Sequence, residues 1–579
     1  MNHLVRPAKS ERSEARSVGG SESQVSEAQR TEICWTNYPI HDVSGLETIP
    51  GAQRRGTRFT IHHSPFTCLL KIIIAIVLVL VLNVPGYALS STNVWIDNEL
   101  YADMESWAAD GLIASQLSST KPVARSEVGR QLVTALDGCD TSQTPSVNCI
   151  NIQKHYTKLF PAEISEAKNA HHAGGSFIKP VENVSLSFNY LDGPFSIYNN
   201  EGIDYGEGSN VLVQLQSSAR LWKAFSFFVQ PVLIYNNHAY ASDADSETKL
   251  RLHRGYAKVN LFNFEIQAGR DSLWWGPAYH GSLLISNNAK PFDMIKLSNP
   301  EPVLLPWFFS YLGPFQFNLI VSQLHDERTG IELANPFLYG LRFDFKPHPY
   351  LEVGLSHLSM FGGPGRRDLS IGDVFKILYS NTNPDPSEKL DSNAQVALDL
   401  ALTLPDIRKY IFIADALKLY TEWGAEDTGF PPDKRAMLGG LALYKPFGLE
   451  KAVLRGEYAR ISPGSLPGAW YVHPTYPMRY NGRGFGHHAG TDSDDIFVQW
   501  SQDFERYFYK VSFDRERSGI GTKSFVQTKN QYAGELGYHF NDNIKATLQY
   551  AYEDIKNAGY VQDLNEKNHF FGTTVSFDF

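Results

Sequence analysis

Apolar and polar residues alternate along most of the chain from Val184 onward. A period of two is the pattern of β-strands that have one apolar and one polar face. We count about 17 such segments, each about ten residues long and separated by turn or loop signals. Because a closed antiparallel barrel normally has an even number of strands, the pattern predicts 16 or 18. The clearest segments are 184–190, 211–215, 315–321, 341–345, 398–402, 507–513 and 544–550.

The last strand is the most informative of these segments. Phe571, Thr573, Val575, Phe577 and Phe579 lie on one face, and the other face is smaller and more polar. A strand that ends the chain on an aromatic residue resembles the recognition strand of bacterial outer-membrane barrels, where the last strand pairs with the first. An edge strand of a soluble β-protein would show the same alternation.

The polar faces distinguish a membrane barrel from a soluble sheet. Arg342, Asp344 and Lys346 alternate with apolar residues in one segment. In a soluble sandwich the apolar faces share one core, whereas in a membrane barrel they contact lipid and the charged faces line the lumen. The number of strands and the final aromatic residue favour the barrel. We therefore predict a mainly β protein whose residues 176–579 form a large closed antiparallel outer-membrane β-barrel.

Aromatic residues and loop lengths add detail to this prediction. Aromatics near the strand ends fit the two girdles that outer-membrane barrels place at the membrane interfaces. The connections at 541–543 and 222–223 are tight, like periplasmic turns, whereas 271–313, 360–392 and 462–495 are long and belong outside the cell or inside the lumen. The predicted girdle residues are Trp222, Tyr235, Trp423, Tyr444 and Tyr552.

The N-terminal part of the chain lacks the period of two. Residues 1–67 are rich in Ser, Glu and Arg and have no sustained apolar period, so we interpret them as a disordered or wrongly assigned extension. The run from Ile72 to Leu82 is too short to span a bilayer comfortably but suits a secretory signal peptide at 68–88, cut after Ala88. If the run is instead an anchor, the rest of the chain is tethered to the inner membrane.

Between the signal peptide and the barrel the period becomes helical, which predicts a small bundle at 89–175 on the periplasmic side. Its apolar stripes predict one helix that Gly111 closes, a second after Pro122, and a third that Pro161 breaks. Cys139 and Cys149 flank a short loop and can form a disulfide in an oxidising periplasm. We interpret the bundle as a packing module; the alternative is a weak similarity to surface-layer-type modules. The predicted stripe residues are Leu100, Met104, Trp107, Val128, Leu132, Leu136, Ile152, Tyr156 and Leu159.

Composition excludes several other classes. Aromatic residues make up 13% of the chain and charged residues only 20%, which fits a barrel with a polar lumen better than a helical membrane protein. A net charge of −10 without dense Lys/Arg tracts argues against a nucleic-acid partner. No Cys/His spacing suggests a metal site, and we expect no cofactor.

One long segment between strands carries a distinctive set of motifs. It reads Gly-Arg at 269–270, Trp-Trp-Gly-Pro at 274–277, Gly-Ser-Leu-Leu at 281–284, Ser-Asn-Asn-Ala at 286–289 and Leu-Gly-Pro at 312–314. This block resembles the Wzi family of capsule assembly proteins. The resemblance implies a small periplasmic helical bundle followed by an 18-stranded outer-membrane barrel, and it makes 18 the favoured strand number. It also implies a lectin that helps to hold exported capsular polysaccharide on the cell surface.

The same block contains candidate sugar-binding residues. Trp274 and Trp275 offer indole faces on which a pyranose can stack, and Arg270 and His280 can bind the carboxylates of acidic sugars. The alternative, which we favour, is that these four residues are structural or lumenal, with Arg270 paired to Asp271 or Glu265.

The loop at 462–495 is the stronger candidate for a polysaccharide site, because it combines aromatic and cationic side chains on one connection that we expect to be exposed. The alternative is a loop that packs on its neighbours. Asp492, Asp494 and Asp495 are a weak candidate for Ca²⁺, and we expect the adjacent His487 and His488 to point apart. The candidate binding residues are Trp470, Tyr471, His473, Tyr476, Arg479, Tyr480 and Arg483.

These observations lead to a functional hypothesis. We expect an outer-membrane protein that binds capsular or exopolysaccharide, contacts outer-membrane lipid and uses the barrel assembly machinery during biogenesis. The alternatives are a diffusion porin or sugar-uptake channel and a lipid-modifying enzyme. No Gly-x-Ser-x-Gly, Walker or His-Glu-x-x-His motif is present in the sequence, so we expect no enzymatic activity.

Overall fold

The computed structural model describes residues 89–140, 146–168, 175–236, 247–326, 328, 332–367, 369–379, 390–426, 434–462 and 468–579. These residues form an N-terminal helical region followed by a β-barrel. The extension predicted for 1–67 and the signal peptide predicted for 68–88 lie outside the described residues.

The helical region is built on the apolar stripes seen in the sequence. Met104, Trp107, Val128, Leu132 and Ile152 are fully buried in one core. In the part of the chain that the structure describes, no helix is long and apolar enough to cross a bilayer. The helices are α1 (Leu100–Ala109), α2 (Arg125–Asp140), α3 (Val147–Asn151), which continues through a π-helical turn (Ile152–Tyr156) into Thr157–Leu159, and α4 (Pro161–Lys168).

The helix ends follow local backbone chemistry. Gly111 has a φ of 75°, the left-handed conformation that glycine adopts after a helix, and it follows α1 as predicted. Pro161 does more than end the third helix, because it is the first residue of α4, where a missing N–H costs nothing. A disulfide joins Cys139 of α2 to Cys149 of α3, in the predicted pairing.

Eighteen antiparallel strands form a closed barrel, the number favoured in the sequence analysis. A short segment, Val303–Leu304, extends the edge at which β6 pairs with β7. The strands are β1 (Phe177–Asp192), β2 (Gly208–Leu221), β3 (Phe225–Asn236), β4 (Glu247–Leu261), β5 (Phe264–Asp271), β6 (Phe292–Ser298), β7 (Pro314–Gln323), β8 (Phe337–His348), β9 (Leu351–Phe361), β10 (Ser392–Leu404), β11 (Ala416–Glu426), β12 (Arg435–Tyr444), β13 (Ala452–Ile461), β14 (Ser493–Asp503), β15 (Tyr507–Ser518), β16 (Gln527–Asn541), β17 (Ile544–Lys556) and β18 (Asn565–Asp578).

The first and last strands close the barrel. β1 and β18 pair antiparallel from Asn183 opposite Asp578 to Asp192 opposite His569. The final strand therefore pairs with the first, as its resemblance to a recognition strand predicts. Closure leaves the sheet without an exposed edge, which is what a sheet in lipid requires.

The apolar faces point outward and the polar faces point inward. In β1, Leu186 and Phe188 are exposed, whereas Ser185 and Ser187 are buried. A soluble sheet would bury the apolar set, so the reversed alternation is the pattern of a membrane barrel.

The aromatic girdle is only partly as predicted. Trp222, Tyr235 and Trp423 are exposed on the outside of the barrel. Tyr444 is 2% exposed and its hydroxyl donates a hydrogen bond to Glu105 of the helical region, so the prediction that it belongs to a girdle is wrong. Its position at a strand end fits either face, and the alternation places it in the lumen.

The connections divide the barrel into two unlike ends. The tight turns at 222–224 and 542–543 share one end with the helical region that precedes β1, and the long loops lie at the other. Short turns are periplasmic in outer-membrane barrels, so the long loops are extracellular. The predicted single connection at 271–313 is wrong, because β6 divides it into an extracellular loop, 272–291, and a periplasmic one, 299–313. The loop at 362–391 contains a further helix, α5 (Ile371–Tyr379).

Candidate functional site

Two extracellular loops fold back into the lumen and fill it. We call 272–291 and the described residues of 462–492, which are 462 and 468–492, the plug loops. Leu283, Leu284 and Phe485 are among their fully buried residues, and they share one apolar core with lumen-facing residues such as Leu358 and Leu438. The inside of this barrel is therefore packed like a protein core rather than filled by a wide channel.

Carboxylates of the barrel wall hold the first plug loop by its backbone. Glu457 accepts hydrogen bonds from the N–H groups of Tyr279 (2.6 Å) and His280 (2.9 Å). Glu422 accepts one from the N–H of Leu283 at 2.8 Å. Buried N–H groups need hydrogen-bond acceptors, and these two side chains supply them, so the contacts fix the loop against the wall.

The helical region contacts the same loop from the periplasmic side. Thr120 and Lys121 pair with Trp275 and Trp274 in a short antiparallel ladder. On the wall, Glu352 accepts hydrogen bonds from the N–H groups of Ser118 and Ser119. The helical region and the plug loops thus obstruct the barrel from both ends.

Four residues of the distinctive block are placed as follows. Trp274, Trp275 and His280 are buried in the lumen. Arg270 faces outward at the extracellular end of β5 and pairs with Asp293 at 2.7 Å. The predicted pairing of Arg270 with Asp271 or Glu265 is wrong, because those two carboxylates lie on the lumenal face of the same strand.

The second plug loop is less exposed than its composition suggested. Trp470 and Tyr476 are completely buried, and Tyr471 and Tyr480 nearly so, in the core of the plug. His473 is also buried. The expectation that these side chains form an exposed surface is therefore wrong, since the loop turns into the lumen instead of extending away from the membrane.

The adjacent histidines of this loop, and the aspartates where it meets β14, also differ from expectation. The rings of His487 and His488 stack with centroids 4.5 Å apart, because they lie in an irregular segment where neighbouring side chains need not point apart. Asp492 accepts hydrogen bonds from Gly521 and Thr522, whereas Asp494 pairs with Arg517. The Asp492–Asp494–Asp495 group is thus split among different partners, contrary to the proposed Ca²⁺ site.

The cationic residues of the plug loops lie at the extracellular surface. Arg483 donates hydrogen bonds to Asp204 at 2.9 Å and to Asn200 at 3.0 Å. Lys290 lies 3.7 Å from the same Asp204, whose side chain is 66% exposed. Arg479 pairs with Glu332 nearby in the loop layer. The exposed carboxylate of Asp204 thus pairs with two cations, Lys290 and Arg483.

A third cation completes this group. Arg251, near the extracellular end of β4, has Nε and Nη2 atoms that are buried and without a hydrogen-bond partner. We define the cationic mouth as Arg251, Lys290 and Arg483, with Asp204 as their shared carboxylate. Partial burial lowers the pKa of Lys290; Arg251 and Arg483 lower it further, whereas Asp204 raises it. The group therefore has an excess of positive charge that an anion can relieve.

Sequence reasoning found only part of this mouth. Arg483 was among the candidate residues, but Lys290 lies in the first plug loop and Arg251 in a strand. The three positions are distant in the sequence, and closure of the barrel with two folded loops brings them together. No local spacing signals such a group.

These features define the class of protein: a plugged 18-stranded β-barrel of the outer-membrane type, with a cationic extracellular mouth. The model of the Capsule assembly protein Wzi family matches residues 191–570, more than half of the chain, and the chain belongs to that family. The resemblance stated from the sequence is thus confirmed. The chain is an outer-membrane protein.

Two known proteins illustrate the similarity. An uncharacterised 55.8 kDa protein in the cps region of Klebsiella pneumoniae is 26% identical over 198 residues, which are 34% of this chain and 37% of that protein. The match thus spans well under half of that relative. The solved structure of Wzi, an outer membrane protein involved in group 1 capsule assembly in Escherichia coli and a carbohydrate-binding β-barrel, has a TM-score of 0.61 at 15% identity. It covers 86% of this chain and 100% of that one, and it shows the fold.

Proposed function

We propose that this protein is an outer-membrane lectin that binds an exported capsular or exopolysaccharide and helps to attach it to the cell surface. The observation that carries the proposal is the cationic mouth on a barrel whose lumen is filled. Membership of a capsule assembly family supports it. A filled lumen argues against the alternative of a diffusion porin or sugar-uptake channel.

The chemistry of the mouth specifies the class of polymer. Guanidinium groups bind carboxylates and phosphates with paired hydrogen bonds, and the side chains of Lys290 and Arg483 are 29% and 24% exposed at the mouth. We therefore propose that the ligand is acidic, with uronate or phosphate groups spaced along the chain. Single contacts of this kind are weak, and retention comes from many barrels that bind one long polymer.

Other partners follow from the fold. The exposed apolar belt contacts outer-membrane lipid, and the terminal strand β18 serves the barrel assembly machinery during biogenesis. The protein acts by binding and not by catalysis. The second plug loop contributes to binding by supporting Arg479 and Arg483, rather than by stacking its buried aromatic rings on sugars.

Neutralising the mouth weakens polymer binding. We expect the double variant Lys290→Gln/Arg483→Gln to lose about tenfold or more in affinity for an acidic polysaccharide, since each lost charge pair at a partly exposed site contributes about 1 kcal/mol. Binding of detergent-purified protein to immobilised acidic polymer, measured from low to high salt, checks this. Wild-type affinity should fall as salt rises, because the contacts are ionic.

Two controls make this test specific. Lys409→Gln changes an exposed lysine at the periplasmic end and should bind like wild type. A matched neutral polysaccharide should bind weakly and without salt dependence. Equal affinity of the double variant and wild type would reject the mouth as the site.

In cells, a deletion strain that still synthesises its polymer should shed it into the medium, and a strain that retains it would contradict the attachment role.

A further inference from the structure

A group of histidines and carboxylates in the upper lumen plays no part in the proposed polysaccharide site. We call His280, His488, Asp495, Asp514 and Glu516 the His–Asp cluster. His280 belongs to the first plug loop and His488 to the second, whereas the acids stand on the neighbouring strands β14 and β15. The cluster therefore lies where both plug loops meet the barrel wall.

The spacing of the side-chain atoms is that of ligands around one ion. Nε2 of His280 is 3.6 Å from Oδ2 of Asp495 and 3.5 Å from Oδ2 of Asp514. Nε2 of His488 is 3.3 Å from Oδ2 of Asp495. Tetrahedral ligands at zinc-ligand distances of about 2.0–2.1 Å lie about 3.4 Å apart. His280, His488 and Asp495 each offer one ligand atom, and these three atoms lie within 4.8 Å of one another; Asp514 lies beside them and belongs with His488 and Glu516 to a second, overlapping group.

Several of these atoms make no hydrogen bond in the described structure, although Nε2 of His488 also lies 2.9 Å from Oε1 of Glu516. Nε2 of His280, Nε2 of His488 and both carboxylate oxygens of Asp495 are buried without a hydrogen-bond partner. The side chains of His488 and Asp495 are each 2% exposed, so they are shielded from bulk solvent. An unpaired buried polar group costs about 1–3 kcal/mol, and a charged one costs more. Several such atoms facing one another indicate that a ligand belongs between them.

The charge balance indicates a divalent cation. Asp495, Asp514 and Glu516 face one another, and the ammonium group of Lys529 pairs with Glu516. With neutral histidines, three carboxylates and one lysine leave two negative charges in a buried space. One divalent ion cancels them, and protons are the other means of doing so.

We propose that the His–Asp cluster binds one divalent transition-metal ion, with Zn²⁺ as the best match. His280 and His488 bind it through Nε2 and Asp495 through Oδ2, and Asp514 is the adjacent carboxylate that can complete the set. Two imidazoles with carboxylates favour zinc-type ions over Ca²⁺ and Mg²⁺, which prefer oxygen ligands. Tyr198 supports the site, since its hydroxyl lies 2.8 Å from Oδ2 of Asp514.

Such an ion would cross-link the plug loops to the barrel wall. One ion would tie the first plug loop, through His280, and the second, through His488, to two adjacent strands of the wall. The sequence gives no signal of such a site, because the ligands lie at positions 280, 488, 495 and 514 and in no recognised spacing. The site is independent of the cationic mouth, so its failure would leave the lectin proposal unchanged.

Metal binding to the purified full-length protein tests the proposal. Protein without a histidine tag is stripped with a chelator in detergent and then dialysed against Zn²⁺ alone. We expect one equivalent of zinc per chain by elemental analysis, and cobalt(II) in its place should give the visible absorption of a four-coordinate ion. His488→Gln and Asp495→Asn should each lower the affinity at least tenfold, by analogy with the 10–100-fold effect of losing a supporting residue.

His253→Gln is the matched control, because His253 is a buried lumenal histidine that pairs with a single carboxylate, Glu201. It should retain one equivalent of zinc. Folding of each variant is checked by the mobility shift of the heated and unheated barrel on gels. Less than a tenth of an equivalent in folded wild-type protein would overturn the proposal. So would unchanged zinc affinity in folded His488→Gln protein, or equal loss in His253→Gln.

Discussion

Replacing Arg342 with methionine should destabilise the folded barrel by about 3–5 kcal/mol, the usual cost of removing one partner of a buried ion pair. Arg342 is completely buried and pairs with Asp344 at 2.6 Å and Asp399 at 2.7 Å. Its Nε also donates a hydrogen bond to Thr120 of the helical region. The variant leaves two carboxylates in the lumen without their shared cation. Urea unfolding of the barrel in detergent or lipid measures the free energy of unfolding.

The contact with Thr120 adds a second expected result. Without Arg342, the short ladder between Thr120–Lys121 and Trp274–Trp275 loses the hydrogen bond that joins Thr120 to the barrel wall. Limited proteolysis should therefore cut the helical region faster in the variant. Arg270→Met is the control, since the Arg270–Asp293 pair is partly exposed and should contribute no more than about 1 kcal/mol. If both variants lost the same stability, the hydrogen-bonded ion pairs of Arg342 with Asp344 and Asp399 would not stabilise the barrel as we expect.

The barrel itself was predictable because each strand carries its own evidence. Lipid on one side and a polar lumen on the other impose the alternation segment by segment, so strands such as β1 and β18 can be identified without knowledge of their neighbours. The strand β6 was missed because it is only seven residues long and lies within the distinctive family block. Without β6, a periplasmic and an extracellular connection appeared to be one long loop.

The direction of the loops was not predictable. Trp470, Tyr471 and Arg483 occupy one connection, yet the aromatic rings are buried and the guanidinium group reaches the mouth. An aromatic ring suits both a sugar-binding surface and an apolar core, so composition does not distinguish a loop that extends into solvent from one that enters the lumen. Sites that combine several loops and strands, such as the cationic mouth, depend on that direction and were therefore missed or only partly found.

The double variant Trp275→Ala/Trp470→Ala should turn a closed barrel into a conducting one. Both rings rest on glycines of the wall: a Cβ at Gly340 would lie 2.8 Å from Trp275, and one at Gly424 would lie 2.5 Å from Trp470. Each indole thus occupies space that only a glycine leaves open. Truncating a buried Trp costs about 3–5 kcal/mol of stability. We expect this loss to loosen the plug loops, while the hydrogen-bonded strands of the wall stay folded.

Planar-bilayer recording measures the result directly. Wild-type protein should show little or no steady conductance, and the double variant should open channels, frequently or continuously, because loosened plug loops expose the polar wall of the lumen. Val472→Ala is the control, since Val472 lies in the same loop but is 51% exposed and should leave the barrel closed. A large steady conductance in wild-type protein would favour the porin alternative over the lectin. A closed double variant with a normally assembled barrel would show that the two indoles do not hold the plug.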